Sequence, residues 1–256
     1  MSSNVGPDRA APADGTLDFT FDRLLLPVTV TRQSVTLRQT GVDTLPSPVV
    51  IYDPVSRTVS LSSPDPLRAT WLVPGQEYSV TLGSALRAFD GAPLANPTVV
   101  SFGVIEPVGW VRPSRVVFCV EVLPLLQARC GTCHGSAPTP AGLVLATSAG
   151  VLGALGRVAS GANTGPMGGG ASAPGVVFGV DMALIDPGGP GTSWLMYKLL
   201  LGARESATLS DDERSRLGEL VLGDGMPPGA PGLTAEELGR VRRWIAQGAQ
   251  VDGGER

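Results

Sequence analysis

Lysine and histidine are almost missing from this chain: Lys198 and His134 are the sole examples among 256 residues. Charged residues make up only 16% of the sequence, and the formal net charge is −4. Such a surface has no concentrated basic face for a phosphate backbone, which excludes nucleic acid as a partner class. An acidic partner would have to be met by arginines. No apolar run reaches the roughly 18 residues needed to span a bilayer. The nearest, "GLVLATSAGVLGALG", is short and broken by glycines. The opening "MSSNVGPDRAAPADG" lacks the apolar centre of an export signal. It would suit a tether behind a lipidated cysteine, but it contains none. Carboxylate pairs, Ser/His/Asp sets and phosphate-binding glycine loops are also missing in any specific form, so no hydrolytic chemistry is indicated.

What is present is apolar and turn-rich. Hydrophobic residues make up 43% of the chain, with 34 glycines and 23 prolines, so a core can form from short elements. Residues 1 to about 105 alternate with period two in "LDFTF", "VTVT", "SVTLRQ", "RTVSLS", "YSVTLG" and "TVVSFGV". Runs of that kind between Pro, Gly, Asp and Ser predict an antiparallel sandwich with one buried face per sheet. The pieces "LDFTFDRLLLPVTV", "VVIYDPVSRTVSLSSPDPL" and "LVPGQEYSVTLGSALRAFDGAPL" resemble bacterial Ig-like domains of S-layer and other cell-surface proteins. The likeness implies a fold and no activity. Tyr78 is a candidate core corner on that reading, or an ordinary half-buried strand tyrosine.

After "IEPVGWVRPS" the texture changes to helical spacing. Val116, Cys119, Val122, Leu123 and Leu126 fall near one face, with Pro124 limiting where that helix starts. "TSWLMYKLLLG" reads as a helix ending at Gly202. Ser210 with Glu213, and Thr234 with Glu237, read as capping boxes opening two more.

The chemistry sits in "QARCGTCHGSAP". Cys130, Cys133 and His134 form Cys-x-x-Cys-His, the signature of c-type haem attachment, in which two thiols take the two vinyl groups and the imidazole lies under the iron. A thioredoxin-like pair would need a βαβ setting, which is not indicated. A zinc set of Cys119, Cys130, Cys133 and His134 would force adjacent residues onto one metal. A thioether is a common second axial ligand. Met226, in "GDGMPPGAPG" between two helices, is the candidate. Met182 and Met196 read as core residues, and Met167 lies in a glycine-rich run.

Residues 113 to about 250 then resemble a class I cytochrome c domain, through "VLPLLQARCGTCHG", "LIDPGGPGTSWLMYKL" and "GMPPGAPGLTAEELGRVRRWIAQGAQ". The resemblance implies thioethers at Cys130 and Cys133 and axial ligation of one covalent haem c by His134 and Met226. It also implies that the last helix crosses the first through Leu238, Val241, Trp244 and Ile245. The span from His134 to Met226 is longer than in small members and includes "ASGANTGPMGGGASAP", which leaves room for a lid or docking loop.

The expected organisation is a disordered tether at 1–15, an all-β Ig-like sandwich at 16–106 and an all-α class I cytochrome c domain at 107–250, then a tail at 251–256. Haem attachment falls at 130–134 and the Met loop at 223–232. Iron closed by two ligands leaves outer-sphere transfer of one electron as its chemistry, so an electron carrier with a redox protein partner is expected rather than an enzyme. The alternatives are a haem sensor or peroxidase-like enzyme with an open sixth position, and a cell-surface scaffold or adhesion module. The expected location is periplasmic or outer-surface, in a lipid-anchored or surface context and without a membrane span. The export signal is expected to be trimmed or upstream. Cys119 reads as a small buried residue or an intermolecular pairing site. Arg240, Arg242 and Arg243 read as a solvated helix face, or as contacts to a haem propionate or an acidic partner.

Overall fold

The computed structural model describes residues 1–42, 47–65, 70–109, 114–136, 138–159, 178, 181–203, 209–221, 223–229 and 231–251. The chain divides into two units, Met1–Pro113 and Ser114–Arg256.

The first unit is built from period-two runs. Strands β1 (Ser2–Ser3), β2 (Ala11–Pro12), β3 (Leu17–Thr20), β4 (Val35–Gln39), β5 (Val49–Asp53), β6 (Thr58–Ser62), β7 (Glu77–Leu82) and β8 (Thr98–Ile105) form two four-stranded sheets. Their orders are β1-β3-β6-β5 and β2-β8-β7-β4. All pairings are antiparallel except β2 with β8. Leu17, Phe19, Val59 and Leu61 from one sheet share a core with Val80, Leu82, Phe102 and Val104 from the other. Alternate residues of β3, β6 and β7 are the buried ones, so a one-residue slip would turn that core out to water. Tyr78 is buried in this core; its hydroxyl donates to Gln39 Oε1 at 2.9 Å and accepts from Val73 N at 3.1 Å. The stretch 1–15, expected as a tether, instead carries β1 and β2. Val5, Ala11 and Ala13 are buried, because three small or apolar side chains there have a sheet edge to cover.

Among its described residues, the second unit carries five helices of 5–12 residues: α1 (Leu123–His134), α2 (Ser148–Leu152), α3 (Trp194–Gly202), α4 (Asp211–Leu220) and α5 (Ala235–Ala246). A π-turn, Phe118–Val122, runs into α1, and Pro124 sits in the first turn of that helix, where no N–H is required of it. Both predicted capping boxes are formed, at Ser210/Glu213 and Thr234/Glu237. On α5, Leu238, Val241, Trp244 and Ile245 are buried, and Trp244 lies 5.3 Å from the Phe118 ring. The bidentate pair Arg129–Glu237, at 3.0 and 2.9 Å, ties α5 to α1.

The expectation of an all-α class I cytochrome c fold at 107–250 is corrected here. The helices are short, and extended backbone runs between them, bridged at Leu155↔Ile185, Val158↔Ala183 and Ala183↔Ser193. Among the described residues, all the named strands lie in the first unit. In the second, glycine and proline interrupt the helical runs, and the freed backbone groups pair with one another instead. Most of the glycine-rich stretch expected as a lid, Met167 included, lies outside the described residues, as does the tail beyond 251.

Candidate functional site

The site begins at the C-terminal end of α1. Helical spacing turns Cys130 and His134 inward, four residues apart, and leaves Cys133 exposed. None of the three cysteines is in a disulfide. Burial pushes the Cys130 thiol up to about 11, with Arg129 opposing and Cys133 adding to the rise. Cys119, in the π-turn, is half-buried.

His134 is buried, and its Nδ1 lies 2.8 Å from the Leu143 carbonyl oxygen. A carbonyl can only accept, so Nδ1 carries the hydrogen, and in the neutral ring Nε2 keeps its lone pair. Imidazoles that ligate metal are fixed in this way, with the far nitrogen donating to a backbone oxygen. The segment supplying Leu143 is itself pinned: Leu145 N and Ala146 N donate to the His134 carbonyl at 2.8 and 3.2 Å.

Cys130, Cys133 and His134 line one cavity of about 760 Å³ together with Met226. That volume lies within the ~300–1,000 Å³ usual for small-molecule and cofactor sites. The walls are mainly apolar, from Leu143, Leu145, Ile185, Trp194, Leu195 and Leu199. Met182 and Met196 are fully buried and do not line it; among the described methionines only Met226 does.

Met226 is held by its backbone. Its N–H donates to the Lys198 carbonyl at 2.9 Å. A Cβ at Gly202 would overlap the Met226 carbonyl oxygen and stand 2.7 Å from its carbon. A Cβ at Gly225 would stand 2.5 Å from Gly202 N, and one at Gly232 would stand 2.6 Å from Ala203 Cα. Three glycines thus let the loop lie directly on the end of α3, a contact no side chain would permit.

Sequence reasoning missed the Leu143 carbonyl, Arg157 and Lys198, all of which line the cavity. Lys198 Nζ donates to Asp224 O at 2.9 Å and stands 5.9 Å from the Trp194 ring centre. Burial pushes its ammonium below the ordinary range, against the pull of Asp224. Its being the sole lysine was the available signal.

The residues present fit a covalent haem in four respects: two thiols two residues apart, an imidazole with its second nitrogen engaged, a thioether and an apolar cavity. No cluster of three or more His, Cys, Asp or Glu side chains able to hold a bare metal ion occurs among the described residues. None of their helices is long and apolar enough to cross a membrane.

No family model matches the chain, and no curated protein matches it. Among solved structures, it is similar to the S-layer protein rSbsC(31-844) at 21% identity and TM-score 0.32, over 42% of this chain and 14% of that one. It is similar to the N-terminal part of the bacterial S-layer protein SbsC at 21% identity and TM-score 0.31, over 39% of this chain and 23% of that one. A PKD domain from the KIAA 1837 protein gives 17% identity and TM-score 0.21, over 43% of this chain and 92% of that domain. The chain thus spans less than a quarter of the S-layer chains. At these scores the likenesses carry no argument about activity. The expected class I cytochrome c membership, with its electron-carrier and iron vocabulary, is corrected: no family model matches the chain, and the described helices of the second unit are short and separated by extended backbone rather than forming the all-α fold that membership requires.

Proposed function

We propose that this chain is an extracytoplasmic scaffold or adhesion module, with a periplasmic or outer-surface location, whose second unit holds one haem through Cys130 and Cys133, faced by His134 and Met226. Family membership is not needed for this reading, since two thiols, an imidazole and a cavity act through their own chemistry. The observation that carries it is the convergence of these four residues on one apolar cavity, with the far nitrogen of His134 already engaged by Leu143 O. Attachment is redox-neutral: each S–H adds across a vinyl C=C, sulfur to one carbon and hydrogen to the other. A bound haem would supply redox-active iron chemistry, with His134 and Met226 as the residues that would face it. The chain contributes the rest. Leu143 O fixes the imidazole plane, the glycine contacts fix the Met226 backbone, and the apolar walls keep water from the macrocycle.

The scaffold part is supported by the first unit. Two sheets share one core there, and its polar side chains make structural bonds, such as Ser60 to Asp18 at 2.6 Å and the Thr20–Thr58 pair at 2.9 Å. The test is to mature the protein in a periplasm with the haem-attachment machinery and record a pyridine haemochrome spectrum. A c-type spectrum is expected, and a colourless product overturns the haem assignment. A Cys130→Ala variant should stay in the same surface or periplasmic fraction as the parent; its loss from that fraction overturns the scaffold part.

A further inference from the structure

The sheets of the first unit end in the edge strands β1 and β5, and β2 and β4. An edge strand turns one row of backbone N–H and C=O groups away from its own sheet, and folded chains usually guard it by shortness, proline or charge. Three of these four are guarded. β1 and β2 are two residues long, and β2 carries Pro12, which has no N–H to give. β4 is five residues long but carries the exposed Arg38. β5 is also five residues long and pairs with β6 alone among the described strands. It reads Val-Val-Ile-Tyr-Asp, with no lysine, arginine or proline. Its one charge, Asp53, is spent on the following turn, where the carboxylate accepts from Val55 N at 3.0 Å and from the Ser56 hydroxyl. Val50 packs against the core and Tyr52 is buried in it, so Val49 and Ile51 stand on the outer face of the sheet, half-buried. Valine, isoleucine and tyrosine favour strand, so this edge is already shaped to take another one.

We infer that β5 is the contact through which two copies of this chain pair, antiparallel and edge to edge, joining two four-stranded sheets into one. The occupant follows from the symmetry of the segment. Pro48 and Pro54 bracket β5 at equal distance from Ile51. With Ile51 opposite Ile51 of the second copy, Val50 meets Tyr52, Val49 meets Asp53, and the prolines fall beyond the ladder at both ends. A shift by two residues would bring a proline, which cannot donate, into the ladder. A shift by one would continue the core face of one sheet into the outer face of the other. The centred register also sets no like charges opposite each other, because Asp53 meets Val49. A two-fold axis through Ile51 closes the pair, so association stops at a dimer. This goes beyond the haem and scaffold readings and needs neither, since every residue it uses lies in the first unit.

The test is sedimentation velocity of the full chain over a concentration series, with the thiols kept reduced so that Cys119 and Cys133 form no bridge between copies. The parent should pass from a single chain of 26.3 kDa to a dimer as concentration rises. Ile51→Lys and Ile51→Glu each set two like charges across the two-fold axis, and each should weaken self-association by about tenfold or more. An equal mixture of the two variants should recover association as a mixed dimer, because a lysine then faces a glutamate. Thr36→Lys, on the outer face of β4, should associate as the parent does. Far-ultraviolet circular dichroism confirms that each variant is folded. A parent that stays monomeric throughout overturns the inference, whatever other strand β5 might accept. A dimer that both Ile51 variants retain, or that Thr36→Lys alone loses, also overturns it. A mixture no more associated than its components overturns the pairing across Ile51.

Discussion

Replacing Gly202 by alanine should open the site from behind. The methyl group would overlap the Met226 carbonyl oxygen and stand 2.7 Å from Met226 C and 2.9 Å from Met226 N. Those are backbone atoms on both sides of the contact, so neither rotates away, and the loop carrying Met226 must lift off the end of α3. Overpacking of this kind costs about 1–3 kcal/mol. Helix propensity works the other way, favouring alanine by about 1 kcal/mol. Gly218 isolates that second effect: it lies in α4, it is exposed, and nothing stands within 4 Å of its would-be methyl. Gly218→Ala should therefore stabilise by about 0.5–1 kcal/mol. For a unit of this size each kcal/mol moves Tm by about 3–5 °C. Thermal melts followed by circular dichroism should show Gly202→Ala lowered by about 3 °C or more and Gly218→Ala raised by about 2–5 °C. If both substitutions raise Tm alike, the loop does not lie where the glycines place it, and the argument for Met226 at the cavity fails.

Burial pushes the Glu237 carboxyl up, but the Thr234 backbone N–H and Arg129 outweigh it, so the group sits below the ordinary carboxylate range. A depressed pKa contributes stability above the unfolded value that is lost as pH falls through the folded one. Glu237→Gln should cost about 1 kcal/mol at pH 7 in urea melts, and the gap to the parent should close as the pH is lowered below the ordinary glutamate range. In the protein without attached cofactor, iodoacetamide should modify exposed Cys133 well before Cys130, whose labelling should keep rising until about pH 11; peptide mass spectrometry reads both, and equal rates at pH 8 would contradict the inward placement of Cys130. Tyr78→Phe removes the acceptor of Val73 N and the donor to Gln39, and should cost the first unit about 1–2 kcal/mol in denaturant melts.

Local patterns were the most legible part of the sequence. The buried face of α5 stands in the spacing of Leu238, Val241, Trp244 and Ile245, and both capping boxes stand in their Ser/Thr-x-x-Glu pairs. The period-two runs likewise point to β3, β6 and β7, whose alternate residues fill one core. What escaped was non-local. Strand β2 pairs with β8 across most of the first unit, and two residues are too few to show a period. The π-turn at Phe118–Val122 breaks the helical register, so Cys119 is half-buried where a continuous helix would bury it. The Leu143 carbonyl, Arg157 and Lys198 reach the cavity from separate segments, and no spacing rule links them. The cytochrome c expectation drew a whole fold from the attachment motif and two further pieces with helical spacing. The motif speaks for thiol and imidazole chemistry at 130–134, while the fold follows from backbone that glycine and proline interrupt.

The most direct measurement is the intact mass of the denatured protein after maturation with the attachment machinery. The parent should carry one haem that survives denaturation and acid–acetone extraction, and Cys130→Ala/Cys133→Ala should carry none. A parent chain at its bare polypeptide mass under those conditions would contradict the central claim.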